Sequence, residues 1–160
     1  MSVVVRLAKK TDMSFVRDQI TRLFASARGD NSFVIPNFEK EFNNCVDHPD
    51  QGPVFVAELN GKLVGVAACN IHRGLQAGGK VLQLDSLRTD DNVRSQGLGR
   101  ALVKKVFEYS KENDVMTVEL NEPPQRLPYY EERKRFYDRC GFDSAGTFRF
   151  ATRDSFTRMI

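Results

Sequence analysis

Arg94-Ser95-Gln96-Gly97-Leu98-Gly99-Arg100-Ala101-Leu102 is the stretch on which the fold turns. Two glycines in three residues open a helical apolar stripe made of Leu98, Ala101, Leu102, Val106 and Tyr109. A long helix is therefore predicted to begin at Gly97, and a helix start presents unpaired N–H donors at the positive end of a dipole. Without Cβ atoms, Gly97 and Gly99 let a ligand approach the backbone closely and allow conformations barred to other residues. Arg94 and Arg100 add positive charge, so the turn suits a phosphate or pyrophosphate. The plain alternative is a glycine-softened helix start with ordinary surface arginines. A strand before the turn, a helix after it and an arginine three residues ahead of Gly97 favour the anion site. A Gly-x-x-x-x-Gly-Lys-Ser/Thr phosphate loop is absent, and a dinucleotide pattern would need Gly or Ala where Leu102 stands.

Working outward, Val81–Leu87 precedes the turn as a strand, and Val115–Leu120 follows the helix as another. Strand, helix and strand in succession predict a parallel pair joined by a crossover. Upstream, Asn60-Gly61 lies between the runs Val54–Leu59 and Lys62–Cys69, and Asn-Gly supplies the two positive-φ residues of a type I′ hairpin. Gly74, Gly78 and Gly79 then return the chain antiparallel into Val81–Leu87, which places Asp85 on one face with Gln83 and Leu87. Val3–Leu7 reads as the first strand. Thr11 and Asp12 offer an N-cap for a helix through Leu23 and Phe24 that stops near Arg28-Gly29. Pro36 can open a second helix ending before His48-Pro49. Glu122–Pro128 holds three prolines and is irregular, Glu131–Arg139 is helical, and Thr147–Thr152 is the last strand. The order β-α-α-β-β-β-α-β-α-β predicts one mixed α/β domain over residues 1–160.

Composition narrows the function classes. The 24 Lys+Arg against 21 Asp+Glu leave a charge of +3, too small and too scattered to name a nucleic acid as partner. Hydrophobic residues at 41% and charged residues at 28% are those of a globular domain, and no apolar run is long enough to span a bilayer. The start, MSVVVRLAKKTD, has no basic segment ahead of its short apolar run, so a cytoplasmic protein is expected. Cys45, Cys69 and Cys140 are widely spaced and only His48 and His72 accompany them, so neither a disulfide framework nor a metal site is expected.

Arg94–Gly99 matches without a mismatch the Arg/Gln-x-x-Gly-x-Gly/Ala signature of the GCN5-related N-acetyltransferase (GNAT) superfamily. The chain resembles that family at Phe136-Tyr137-Asp138-Arg139-Cys140-Gly141-Phe142 too, which is similar to its late Phe-Tyr-x-x-x-Gly-Phe element. The hairpin followed by Val64-Gly65 is similar to its central strands. The resemblance implies the family's acyl-CoA N-acyltransferase fold: a central mixed sheet, about four flanking helices, and a parallel pair, Val81–Thr89 and Val115–Asn121, that splays apart. It implies acetyl-CoA as co-substrate, with Arg94, Ser95, Gln96, Gly97, Leu98 and Gly99 cradling the pyrophosphate. It further implies that Leu87, Arg88 and Thr89 pair with the pantetheine arm. Arg100 would assist a phosphate and Asn121 would meet the cofactor from the strand end. A homodimer is compatible with the family, though no feature here fixes an interface.

An alkylamine has a pKa near 10 and arrives charged, so acyl transfer needs a proton acceptor. Asp85 and Glu119 are the candidates, one on each framing strand. Tyr137 matches the family's general-acid tyrosine, and a phenol stays protonated at neutral pH. The sequence departs from the family where an Asn is common seven residues before the tyrosine; Tyr130 stands there, after an inserted proline segment. Tyr129 or Tyr130 can replace Tyr137 as acid or line the acceptor pocket, and Glu122 joins Asp85 and Glu119 in an acidic acceptor side if all three face one cleft. Cys140 invites an acyl-cysteine route, but no His is adjacent to activate it, and direct attack in a ternary complex is preferred. The expected acceptor is an amine-bearing small molecule or a peptide or protein amine. The alternative of another class is a non-catalytic acyl-CoA or nucleotide-binding module of the same fold.

Overall fold

Asn60 and Gly61 take φ of +51° and +79°, the left-handed pair that the hairpin needs. The computed structural model describes residues 3–93, 96–146, 148–152 and 156. In chain order these form β1 (Val3–Leu7), α1 (Met13–Arg28), α2 (Phe38–Asp47), β2 (Val54–Leu59), β3 (Lys62–Gly74) and β4 (Gly79–Thr89). Then come α3 (Leu98–Glu112), β5 (Val115–Asn121), α4 (Tyr130–Arg139), β6 (Asp143–Ala145) and β7 (Phe148–Thr152). The described strands make one sheet in the order β1-β2-β3-β4-β5-β7-β6, antiparallel except for the β4–β5 pair.

Three local details differ from the sequence reading. Helix α2 begins at Phe38, after Asn37 in the left-handed region, rather than at Pro36. Asp12 does not cap α1 with its side chain; its carboxylate accepts the Lys9 N–H at 2.8 Å and Arg6 Nη1 at 2.7 Å. A short strand, β6, turns at Gly146 (φ +74°) to pair with β7, and three residues carry too little periodicity to be read in advance. Thr147 lies outside the described residues.

Both faces of the sheet are covered. On one face Phe55, Ala67, Leu82, Leu84, Val118 and Leu120 meet Leu98, Leu102, Val103, Val106 and Phe107 of α3. On the other, Val54, Val56 and Val66 meet Val16 of α1 and Phe42 of α2. Each such Val, Leu or Phe contributes about 1.5–3 kcal/mol by leaving water. The α3 stripe read from the sequence thus seats α3 on this face of the sheet, with Gly97 at its N-cap.

The β4–β5 ladder runs from Lys80↔Val115 to Gln83↔Glu119 and stops there. Beyond it, Leu84 and residues 86–89 of β4 pair only with β3, and Leu120 and Asn121 of β5 pair with β7. The divergence has a local cause. Ser86 faces Ala68 and Leu84 faces Cys69, which leaves Asp85 as an extra residue in β4. Such a bulge bends its strand and increases its twist, turning β4 away from β5.

Candidate active site

The gap between the diverging strands opens into a cavity of about 860 Å³. Leu84, Asp85, Leu87, Arg88 and Thr89 of β4 form one wall, and Leu120 and Asn121 of β5 form the opposite one. Gly97, Leu98, Gly99 and Arg100 close it at the start of α3, while Phe136, Tyr137 and Arg139 of α4 close it, with Cys140, from that helix. Leu23, Phe24 and Ala27 of α1 face the cavity too, as do Pro123, Pro124, Leu127 and Tyr129 of the proline segment.

The two signature glycines act differently. Gly97 has φ +77° and ψ +3°, and a Cβ added there meets nothing within 4 Å. It is needed for its left-handed backbone at the N-cap. Gly99 is needed for space: a Cβ there lies 3.2 Å from Cζ of Phe136, so the glycine lets α4 press against α3. Arg94 and Ser95 fall outside the described residues, and Gln96, though adjacent, is not in the cavity wall. The exposed β5-facing edge of β4 and the amide-rich opening of α3 fit an extended thioester arm with a diphosphate at its end.

The candidate acid and base are placed unequally. Tyr137 is half-buried, with its ring edge-on to Phe136 at 5.2 Å and to Phe142 at 5.8 Å. Burial pushes its pKa up to about 12; Arg133 and Arg149 oppose that rise and Cys140 adds to it. Asp85 is exposed on the cavity wall, yet crowding by the walls strips enough water to raise its pKa above 3.8. Asn70 Nδ2 donates to it at 2.7 Å, and that bond and His72 oppose the rise. Arg88 does not pair with Asp85: its Nε donates to Gln19 at 3.0 Å and its Nη2 to Asp91 at 3.1 Å. Glu119 is half-buried on β5 outside the cavity wall.

The acidic acceptor side of three carboxylates is therefore not assembled. Asp85 faces the cavity, whereas Glu122 is 6% exposed and paired with the buried Arg149. Tyr130 donates to Glu122 at 3.1 Å and lines a shallower depression beside the cavity, while Tyr129 lines both. Arg100 donates to the Arg139 carbonyl at 3.4 Å and still reaches the cavity wall. Cys140 lines the cavity, but burial pushes its thiol up to about 11 against the influence of Arg100 and Arg139, so little thiolate is present at neutral pH. Sequence reasoning missed Asn70 and Arg149. Asn70 was findable, because the β3–β4 hairpin register puts it opposite Gln83, beside Asp85. Among the described residues no cluster of three or more His, Cys, Asp or Glu is arranged to hold a metal ion, and no helix is long and apolar enough to cross a membrane.

The sequence profile described as "Acetyltransferase (GNAT) family" matches residues 17–142. An uncharacterized N-acetyltransferase of Methanocaldococcus jannaschii is 33% identical over 100 residues, which is 59% of this chain and 40% of that protein. The glucosamine 6-phosphate N-acetyltransferase of Trypanosoma brucei brucei is 30% identical over 80 residues, 49% of this chain and 54% of that protein. The matches thus span about half the length, or less, of these relatives. Among solved structures, the PaiA N-acetyltransferase of Thermoplasma acidophilum in complex with coenzyme A superposes with a TM-score of 0.72. That match covers 95% of this chain and 99% of that one at 12% identity, a likeness of fold.

Proposed function

The chain belongs to the acetyltransferase (GNAT) family, and from that premise we propose that it is an acetyl-CoA-dependent N-acetyltransferase acting on a primary amine by direct attack in a ternary complex. The observation that carries this reading is the end of the β4–β5 ladder at Gln83↔Glu119, which opens a gap onto the start of α3 and Tyr137. Gln96, Gly97, Leu98 and Gly99 hold the pyrophosphate with backbone N–H groups, together with Arg94 and Ser95. Leu87, Arg88 and Thr89 pair with the pantetheine arm along the free edge of β4, and Asn121 meets it from β5. Acetyl-CoA supplies the acetyl group as a thioester.

Asp85 takes the proton that the acceptor ammonium must lose before its nitrogen can attack. Its raised pKa makes it a better base than an ordinary surface Asp, and Asn70 orients it. Tyr137 gives its phenolic proton to the sulfur as the C–S bond breaks, and recovers a proton from solvent. Its pKa of about 12 keeps that proton in place at neutral pH. Glu119, outside the cavity wall, is set aside in favour of Asp85. The high pKa of Cys140 favours direct transfer over an acyl-cysteine. Leu23, Phe24, Pro123, Pro124 and Tyr129 favour an acceptor whose amine is carried on a partly apolar body, whether a small molecule or a peptide.

The test is thiol release from acetyl-CoA by the purified chain with a panel of primary amines: an amino sugar, a polyamine, an arylalkylamine, an α-amino acid and a peptide. Amine-dependent release with an acetylated product is expected. Tight acetyl-CoA binding with no release across the panel would favour the non-catalytic binding module instead.

A further inference from the structure

Arg149 is the one charged side chain among the described residues with no solvent exposure. Its Nε donates to Glu122 and its Nη1 to Asp138. These two acids have telling neighbours in the chain. Glu122 directly follows Asn121, the last residue of β5 and part of the cavity wall. Asp138 directly follows Tyr137 on α4, the helix that closes the cavity. One planar guanidinium thus ties the residue after Asn121 to the residue after Tyr137, and Tyr130 adds a bond to Glu122 at 3.1 Å.

Stability alone is a weak explanation for this arrangement. Ions taken out of water lose much of what their attraction returns, and apolar replacements of similar volume often do as well. A rigid fork bonded to two carboxylates does, however, fix direction and spacing. Helix α4 needs such a pin, because none of its residues is fully buried and Phe136 and Tyr137 are half-buried.

We propose that Arg149 is a positioning residue: bridging Glu122 and Asp138, it locks α4 against the end of β5 and so aims Tyr137 into the strand gap. This rests on Tyr137 being the acid.

The test uses the full chain, with Arg149→Lys, Tyr137→Phe, their double variant and the neutral triple Glu122→Gln/Asp138→Asn/Arg149→Met. Thiol release from acetyl-CoA with the fastest amine of the panel, calorimetric acetyl-CoA affinity and the melting temperature are measured well below unfolding. Lysine keeps the charge but loses the fork. Arg149→Lys is expected to lower kcat by about 10²-fold, the cost of roughly 1 Å of misplacement, with acetyl-CoA affinity unchanged. Adding Tyr137→Phe then lowers kcat little further, the signature of two residues acting as one unit. Should Arg149→Lys not fold, the triple decides: it retains the melting temperature and stays slow. Wild-type kcat in Arg149→Lys or in the triple, or losses from Arg149→Lys and Tyr137→Phe that simply multiply, would overturn the proposal while the acid assignment stands. A Tyr137→Phe chain with unchanged kcat would instead remove the acid assignment, and this proposal with it.

Discussion

Replacing Gly97 isolates the conformational demand of the proposed anion site. A Cβ at this position touches nothing, so the whole cost comes from φ +77°. An L-residue held in the left-handed region costs about 1–2 kcal/mol, and Asn costs less than Ala because its side chain bonds locally. If the turn keeps its shape in Gly97→Ala, that cost appears as lost stability, about 2–4 °C of melting temperature per kcal/mol for a chain of this size. If the turn relaxes when free, acetyl-CoA must restore it, and affinity falls by roughly 5–30-fold. The two losses together account for the strain. Differential scanning calorimetry and isothermal titration with acetyl-CoA read both on the same samples. The expected order is Gly, then Asn, then Ala, with Val last because its β-branched side chain fits this region worst. A Gly97→Ala chain with unaltered melting temperature and unaltered acetyl-CoA affinity would refute the argument.

Gly99→Ala tests the other glycine: its methyl meets Phe136 at 3.2 Å, so it should shift α4 and reduce turnover more than acetyl-CoA binding, read by steady-state kinetics and calorimetry. Tyr137→Phe is expected to reduce kcat on the order of 10²-fold with acetyl-CoA affinity retained; unchanged turnover would exclude the acid role. Because the acid works protonated, activity is present below the Tyr137 pKa and lost as pH rises through about 12, so no alkaline fall from this residue should appear near pH 10. Asp85 works ionised, so the acid limb of kcat/KM should lie above pH 3.8 and disappear in Asp85→Asn; a limb that survives this substitution belongs to another group. Mass spectrometry after incubation with acetyl-CoA alone should find no acetyl adduct on Cys140.

The framework was readable because it depends on local chemistry. Asn60-Gly61 fixes a hairpin by backbone sterics, and the stripe on α3 places Gly97 at a helix start. What stayed hidden depends on contacts between distant segments. The bulge at Asp85 comes from the register of β4 on β3 and leaves no mark in period-two alternation. The role of Gly99 follows from Phe136, far along the chain. Glu122 looked like a loop charge available to substrate because its partner, Arg149, lies on a strand that reaches it only after the sheet is assembled. Asp85 was separable from Glu119 only once the cavity wall was known.

The most direct test is the crystal structure of the complex with acetyl-CoA. The pyrophosphate is expected on the backbone amides leading into Leu98, the pantetheine arm against residues 87–89, and the sulfur within about 3.2 Å of the Tyr137 hydroxyl or one water away. A diphosphate bound elsewhere, or a thioester lying outside the gap between β4 and β5, would contradict this placement.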